Sequence, residues 1–170
     1  MLTSQRVKPA LLIKKRGELT LSGTAFTTLL RAVLDKGVPF RFRATGFSMS
    51  PFISNGDVLT VVPLSGRPRI GDVVAFVNQG TGALAIHRVV GKSGGNCLIK
   101  GDNSLKDDGY VAEVDILGRI KKVERNGKKI LVGLGPERYV LAFLTRKGLL
   151  IPLLLPALRR LNALLRRMST

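Results

Sequence analysis

The hydrophobic period of the chain changes at about residue 38. Between Ser22 and Lys36, the apolar residues Phe26, Leu29, Leu30, Val33 and Leu34 recur at i, i+3, i+4, i+7 and i+8. That spacing is one face of a helix, and Asp-Lys-Gly at 35–37 predicts its end. The simplest role for the face is packing against the rest of the domain. From Pro39 the period drops to two. "FRFRATG" alternates apolar and basic residues, and "DVLTVVPL" and "DVVAFVN" are valine-rich and each follows a glycine. "LAIHRVVG", "CLIKGD", "DILGRIKKVER" and "KKILVG" continue the texture. Short strands broken by Gly-Asp, Gly-Lys and Asn-Gly turns predict a mainly β, compact mixed and mostly antiparallel domain over 39–133.

The flanks read differently. Residues 1–38 are a basic lead followed by the amphipathic helix, and 134–170 form a basic, leucine-rich helical tail. In the tail, Leu154, Leu158, Leu161, Leu165 and Met168 recur at helical spacing with Arg159, Arg160, Arg166 and Arg167 between them. Such a helix suits a membrane interface or packs back on the domain, and peripheral membrane contact through 148–168 is the expectation.

Charge sharpens this division. The net charge of +17 is distributed as +7 over residues 1–43, zero over 44–120 and +10 over 121–170. A nucleic-acid reader usually carries its basic residues on the recognising module, and aromatic residues are only 5% with no Trp. Nucleic acid is therefore not the expected partner. One cysteine, Cys97, and one histidine form neither an internal disulfide nor a metal site, so no metal and no cofactor are expected. The longest apolar stretch, "GLLIPLLLPAL" at 148–158, is interrupted by two prolines and falls short of the roughly 20 residues of a spanning helix. The apolar run at 10–13 is too short for a signal-peptide core. The expected location is the cytoplasmic side, peripheral at the inner membrane.

Three places in the middle segment carry candidate chemistry. Ser48 lies in "GFSMSPFISNGD", His87 in "AIHRVVG", and the carboxylates Asp102, Asp107 and Asp108 in "KGDNSLKDDG". A serine hydroxyl becomes a nucleophile when a base takes its proton, and a neutral imidazole does this near pH 7. A carboxylate fixes the tautomer of that imidazole and steadies the imidazolium.

The order of these stretches carries a resemblance. "SMSPFISNGD", "RIGDVVAF", "IHRVVG" and "KGDNSLKDDG" resemble, in sequence, the boxes of the signal peptidase I family and of its relatives, the self-cleaving SOS-type repressors. The resemblance covers about residues 40–120. It implies a β peptidase domain with Ser48 as nucleophile and His87 as general base, as in the archaeal and endoplasmic-reticulum signal peptidases. It implies Asp108 as the supporting acid, slightly ahead of Asp102, with one carboxylate orienting His87 and the other holding the loop. The backbone N–H of Ser48 would be the first oxyanion donor. Signal peptidases often place a serine two residues before the nucleophile as a second donor. Here that position is Gly46, so a water or another backbone N–H must serve. Met49 is expected under the turn, with Pro51 and Gly56 shaping it. The implied function is a serine endopeptidase acting on an extended peptide or precursor protein, with small residues favoured before the cut. A self-cleaving regulator and a catalytically silent β module with basic flanks are the alternatives.

Overall fold

The computed structural model describes residues 13–15, 18–20, 23–154 and 156 of the chain. Its body is an eight-stranded sheet in which every pairing is antiparallel. The strands are β3 (Phe40–Arg43), β4 (Val58–Val62), β5 (Val73–Val77), β6 (Leu84–Ser93), β7 (Asn96–Lys100), β8 (Gly109–Ala112), β9 (Ile116–Arg125) and β10 (Lys128–Lys129). Their order is β3-β4-β9-β5-β6-β7-β8, with β10 paired to β9. A separate hairpin, β1 (Ile13–Lys15) with β2 (Glu18–Thr20), precedes helix α1 (Gly23–Asp35). A second helix, α2 (Arg138–Arg146), follows the sheet.

The mainly β, antiparallel reading of the sequence holds. Two points of that reading need adjusting. "KKILVG" supplies only the two-residue β10, followed by a single backbone bond from the Ile130 N–H to the Val123 carbonyl at 2.9 Å. β8 and the β1–β2 hairpin were not anticipated. Most of the amphipathic stretch 154–168 lies outside the described residues.

Strand β5 explains how one sheet serves two cores. Side chains alternate across a strand, and four of its five residues are buried. Val73 and Ala75 face a cluster with Leu30 and Leu34 of α1 and with Leu59, Val61, Ile120 and Val123. Val74 and Phe76 face the other way, onto Val89, Cys97, Ile99, Val111 and Ile116. Burial there pushes the Cys97 thiol above its ordinary value. The helical face read from the sequence is thus the docking face of α1. Leu30 and Leu34 are buried, although Leu29 at its edge stays exposed. Gly118 on β9 lets the layers close, since a Cβ there would sit 2.7 Å from the Val62 carbonyl and 3.0 Å from Leu34 Cδ1.

α2 is held by a third cluster, Leu141 and Leu150 against Phe52, and by a buried polar lock. Arg88 on β6 is fully buried. Its Nε and Nη2 donate to the two oxygens of Asp102 at 2.8 and 2.6 Å. Its Nη1 donates to the carbonyls of Gly71 and Gly133, both at 2.9 Å. Thr145 of α2 donates to Asp102 Oδ1 at 2.9 Å. The fork geometry of a guanidinium suits this bidentate pairing.

A second ion pair anchors the loop that leads into β4. Arg125 donates to both oxygens of Asp57, at 2.9 and 2.8 Å, and to Ser54 Oγ at 2.8 Å. Asp57 Oδ2 also accepts the Ser54 N–H at 2.8 Å. The Arg125 hydrogen bonds hold the Asp57 carboxyl below its ordinary value of 3.8, against the opposing effect of burial.

Two expected outcomes follow from these locks. Arg88→Met leaves Asp102 buried without its counter-charge and lowers stability by about 3–5 kcal/mol, read as a shift of the urea midpoint. The folded-state pKa of Asp57 is depressed, so its contribution is complete above the unfolded value and is lost as pH falls through 3.8 and below. Asp57→Asn is therefore less stable than wild type at neutral pH, and the gap closes on acidification when unfolding is followed by circular dichroism.

Candidate active site

Ser48 sits on the loop between β3 and β4. It is exposed, while Met49 beside it is 3% exposed and packs in the first core. The loop is tied down along its length. Ser50 N–H donates to the Phe47 carbonyl at 3.1 Å, Ile53 N–H to the Met49 carbonyl at 3.0 Å, and Gly56 N–H to the Ala44 carbonyl at 2.8 Å. Gly56 has φ +87°, a conformation that favours glycine. Ser48 thus presents an exposed hydroxyl on an anchored turn.

His87 is on β6, in register with Val74 of β5. Its Nε2 is 2.8 Å from Ser48 Oγ, and its Nδ1 is 2.6 Å from Asp108 Oδ2. A carboxylate only accepts, so Nδ1 carries the ring proton and Nε2 is left as the acceptor for the serine hydroxyl. The side chains of His87 and Asp108 are 13% and 14% exposed. The pair is thus shielded while the serine stays open to solvent. Asn78 Nδ2 donates to Asp108 Oδ1 at 3.3 Å, which steadies the carboxylate from the far side.

Asp102, the alternative support for His87, does not reach it. Both of its oxygens are taken by Arg88 and Thr145. The reason is strand alternation: His87 and Arg88 are neighbours on β6 and point to opposite faces. Asp107 lies away from the imidazole too, accepting the Gly109 N–H at 3.1 Å.

Four further residues shape the site and were not singled out from the sequence. Gly101 lets the acidic loop approach, because a Cβ there would lie 2.7 Å from the Ser48 carbonyl and 3.1 Å from His87 Nε2. Asn103 staples that loop to the nucleophile turn: its N–H donates to the Ser48 carbonyl at 2.7 Å and its Nδ2 to the Phe47 carbonyl at 3.2 Å. Gly101 and Asn103 both lie in the quoted "KGDNSLKDDG". Asn55 lies in the quoted "GFSMSPFISNGD", whereas Asn78, just after β5, stands outside the four quoted boxes. Asn55 Oδ1 accepts the Gly46 N–H at 3.2 Å, so Gly46 offers neither a side chain nor a free N–H to a substrate. Among the described residues the Ser48 N–H has no acceptor.

A groove of about 480 Å³ opens beside the serine. One wall is the run 42–46 and the other is the run 83–87. Met49, Ile53 and Leu59 line it between them. Because consecutive residues line both walls, the groove follows backbone edges. β3 is an edge strand paired only with β4. Residues 84–87 of β6 pair with β5, but the ladder to β7 begins at Arg88.

A serine–imidazole–carboxylate chain at the end of an open-edged groove has the parts for acyl transfer. Residues 18–131, more than half of the chain, match a family model described as peptidase S24-like. No curated protein matches it. The match supports a serine peptidase or a self-cleaving, repressor-type function, and the chain belongs to the peptidase S24-like family.

Proposed function

We propose that the protein is a serine endopeptidase of the histidine-type, signal-peptidase-like kind, with Ser48, His87 and Asp108 as its catalytic residues. The observation that carries this reading is the continuous hydrogen-bonded chain from Ser48 Oγ through both ring nitrogens of His87 to Asp108.

Ser48 Oγ attacks the scissile carbonyl while His87 Nε2 takes its proton. The imidazolium that forms is steadied by Asp108. The proton then passes from Nε2 to the leaving amine, and the C–N bond breaks. A water, deprotonated by the same nitrogen, releases the acyl group from Ser48. The Ser48 N–H is the donor for the oxyanion. Asp102 holds the acidic loop through Arg88 and takes no part in proton transfer.

The substrate is an extended peptide that adds to the open backbone edges at 42–46 and 84–87. Its residue before the cut is small and apolar and rests against Met49 and Ile86, which line the groove.

A fluorophosphonate reagent is expected to label Ser48 in wild type, shown by peptide mass mapping. Labelling is expected to vanish in Ser48→Ala and to slow by at least 100-fold in His87→Ala. A wild-type protein that is folded and never labelled would overturn the reading. Asp108→Asn keeps the shape of the site but presents the wrong tautomer. It is expected to cost on the order of 10⁴-fold in rate, whereas Asp102→Asn acts mainly on stability. Gly101→Ala pushes the acidic loop off Ser48 and is expected to lower the labelling rate more than its urea midpoint. Chain shortening that depends on Ser48, at a rate independent of protein concentration, would assign the same chemistry to cleavage in cis.

A further inference from the structure

We propose that the outer face of α2 is a docking surface for an anionic lipid bilayer. The inner face of the helix is committed to the fold through Leu141, Ala142 and Thr145. The outer face carries Tyr139, Val140 and Phe143, which are 49%, 61% and 58% exposed. Phe143 is the i+4 neighbour of Tyr139 and the i+3 neighbour of Val140, so the three form one apolar patch. Arg146 and Lys147 follow at i+7 and i+8 and are exposed, with the Arg146 guanidinium at the edge of this face, beside Gly91 of β6. Leu149 and Leu153 extend the exposed apolar surface past the helix, at 44% and 55%. An apolar patch left open to water with a polar rim marks an interaction site.

Charge selects the partner. Arg146 and Lys147 take part in no ion pair among the described residues. The two acidic residues of 121–170 do not offset them. Glu124 is paired with Arg41 and Lys122, and Glu137 accepts the N–H groups of Gly133 and Gly135. An apolar centre with an uncompensated basic rim matches the boundary between anionic headgroups and acyl chains. A second copy of the chain would bring like charges together at the rim. A nucleic acid would leave the apolar centre without a partner. No helix among the described residues is long and apolar enough to cross a membrane, so the contact is peripheral. This surface starts upstream of the 148–168 stretch expected from the sequence, on a helix that is packed against the catalytic domain.

The test is co-sedimentation of the full chain with vesicles of phosphatidylcholine alone and of equal parts phosphatidylcholine and phosphatidylglycerol. Wild type is expected to sediment with the mixed vesicles and not with phosphatidylcholine alone, and added salt weakens the binding. Val140→Asp/Phe143→Asp is expected to weaken partitioning more than tenfold with an unchanged thermal midpoint. If that pair unfolds the protein, Arg146→Glu/Lys147→Glu, which changes only exposed side chains, is expected to weaken it as much and to flatten the salt dependence. Three results overturn the proposal: no sedimentation with mixed vesicles, binding to a DNA duplex in place of vesicles, or a wild-type dimer in solution that the variants dissociate.

Discussion

A guanidinium with no solvent exposure must find acceptors for its charge inside the protein, and the ones Arg88 finds organise the molecule. Its partners come from four places in the chain: Asp102, the Gly71 turn, Gly133, and α2 through the Thr145 hydrogen bond to Asp102. Phe52 covers it, with the guanidinium carbon 5.9 Å from the ring centroid. A pair of this kind need not add net stability over a hydrophobic substitute. What it does is fix direction. Each acceptor sits at one end of the fork, so the loop, the turn and the helix are held in one arrangement.

That arrangement is what the site requires. The acidic loop leaves β7 just after the ladder pair Arg88–Lys100, and Asp102 is the first side chain it can anchor. Once Asp102 is fixed, Gly101 lies against the Ser48 carbonyl and Asn103 binds it. Asp108 then comes back within 2.6 Å of His87. The two carboxylates divide the work. Asp102 is buried and neutralised by an arginine, and Asp108 is partly shielded and faces an imidazole. Their different surroundings leave one committed to holding the loop and the other free to orient the imidazole.

Most of the sheet was legible because its strands carry strong local signals. β4 and β5 are valine-rich runs that each follow a Gly-Asp pair, and α1 shows its docking face in five residues. β8 escaped because "GYVA" is four residues long, and it is a strand only because β7 lies beside it. The triplets of β1 and β2 are shorter still. At the site, Ser48, His87 and Asp108 could be named from the order of four boxes, and they meet within hydrogen-bonding distance. The choice between Asp102 and Asp108 could not be made from spacing, since both lie in the one loop between β7 and β8. It depends on which face of β6 each approaches, which is a property of register. Asn78 acts from another loop and Asn55 from the far side of the Ser48 loop, and a common polar residue in a turn carries no mark of its partner.

The adjacency of His87 and Arg88 bears on how such a chain can change over generations. One inserted or deleted residue in the first half of β6 would turn the imidazole toward the core and the guanidinium toward the groove. The contact of His87 with Ser48 and the Arg88 lock would be lost together. Natural length variation should therefore be excluded from 84–88 and tolerated beyond it. The ladder with β7 already skips a residue between Val89 and Gly91, so the bulge absorbs a change of register before it can propagate along the strand. The bulge divides β6 into a half whose length is fixed by chemistry and a half whose length is free to drift.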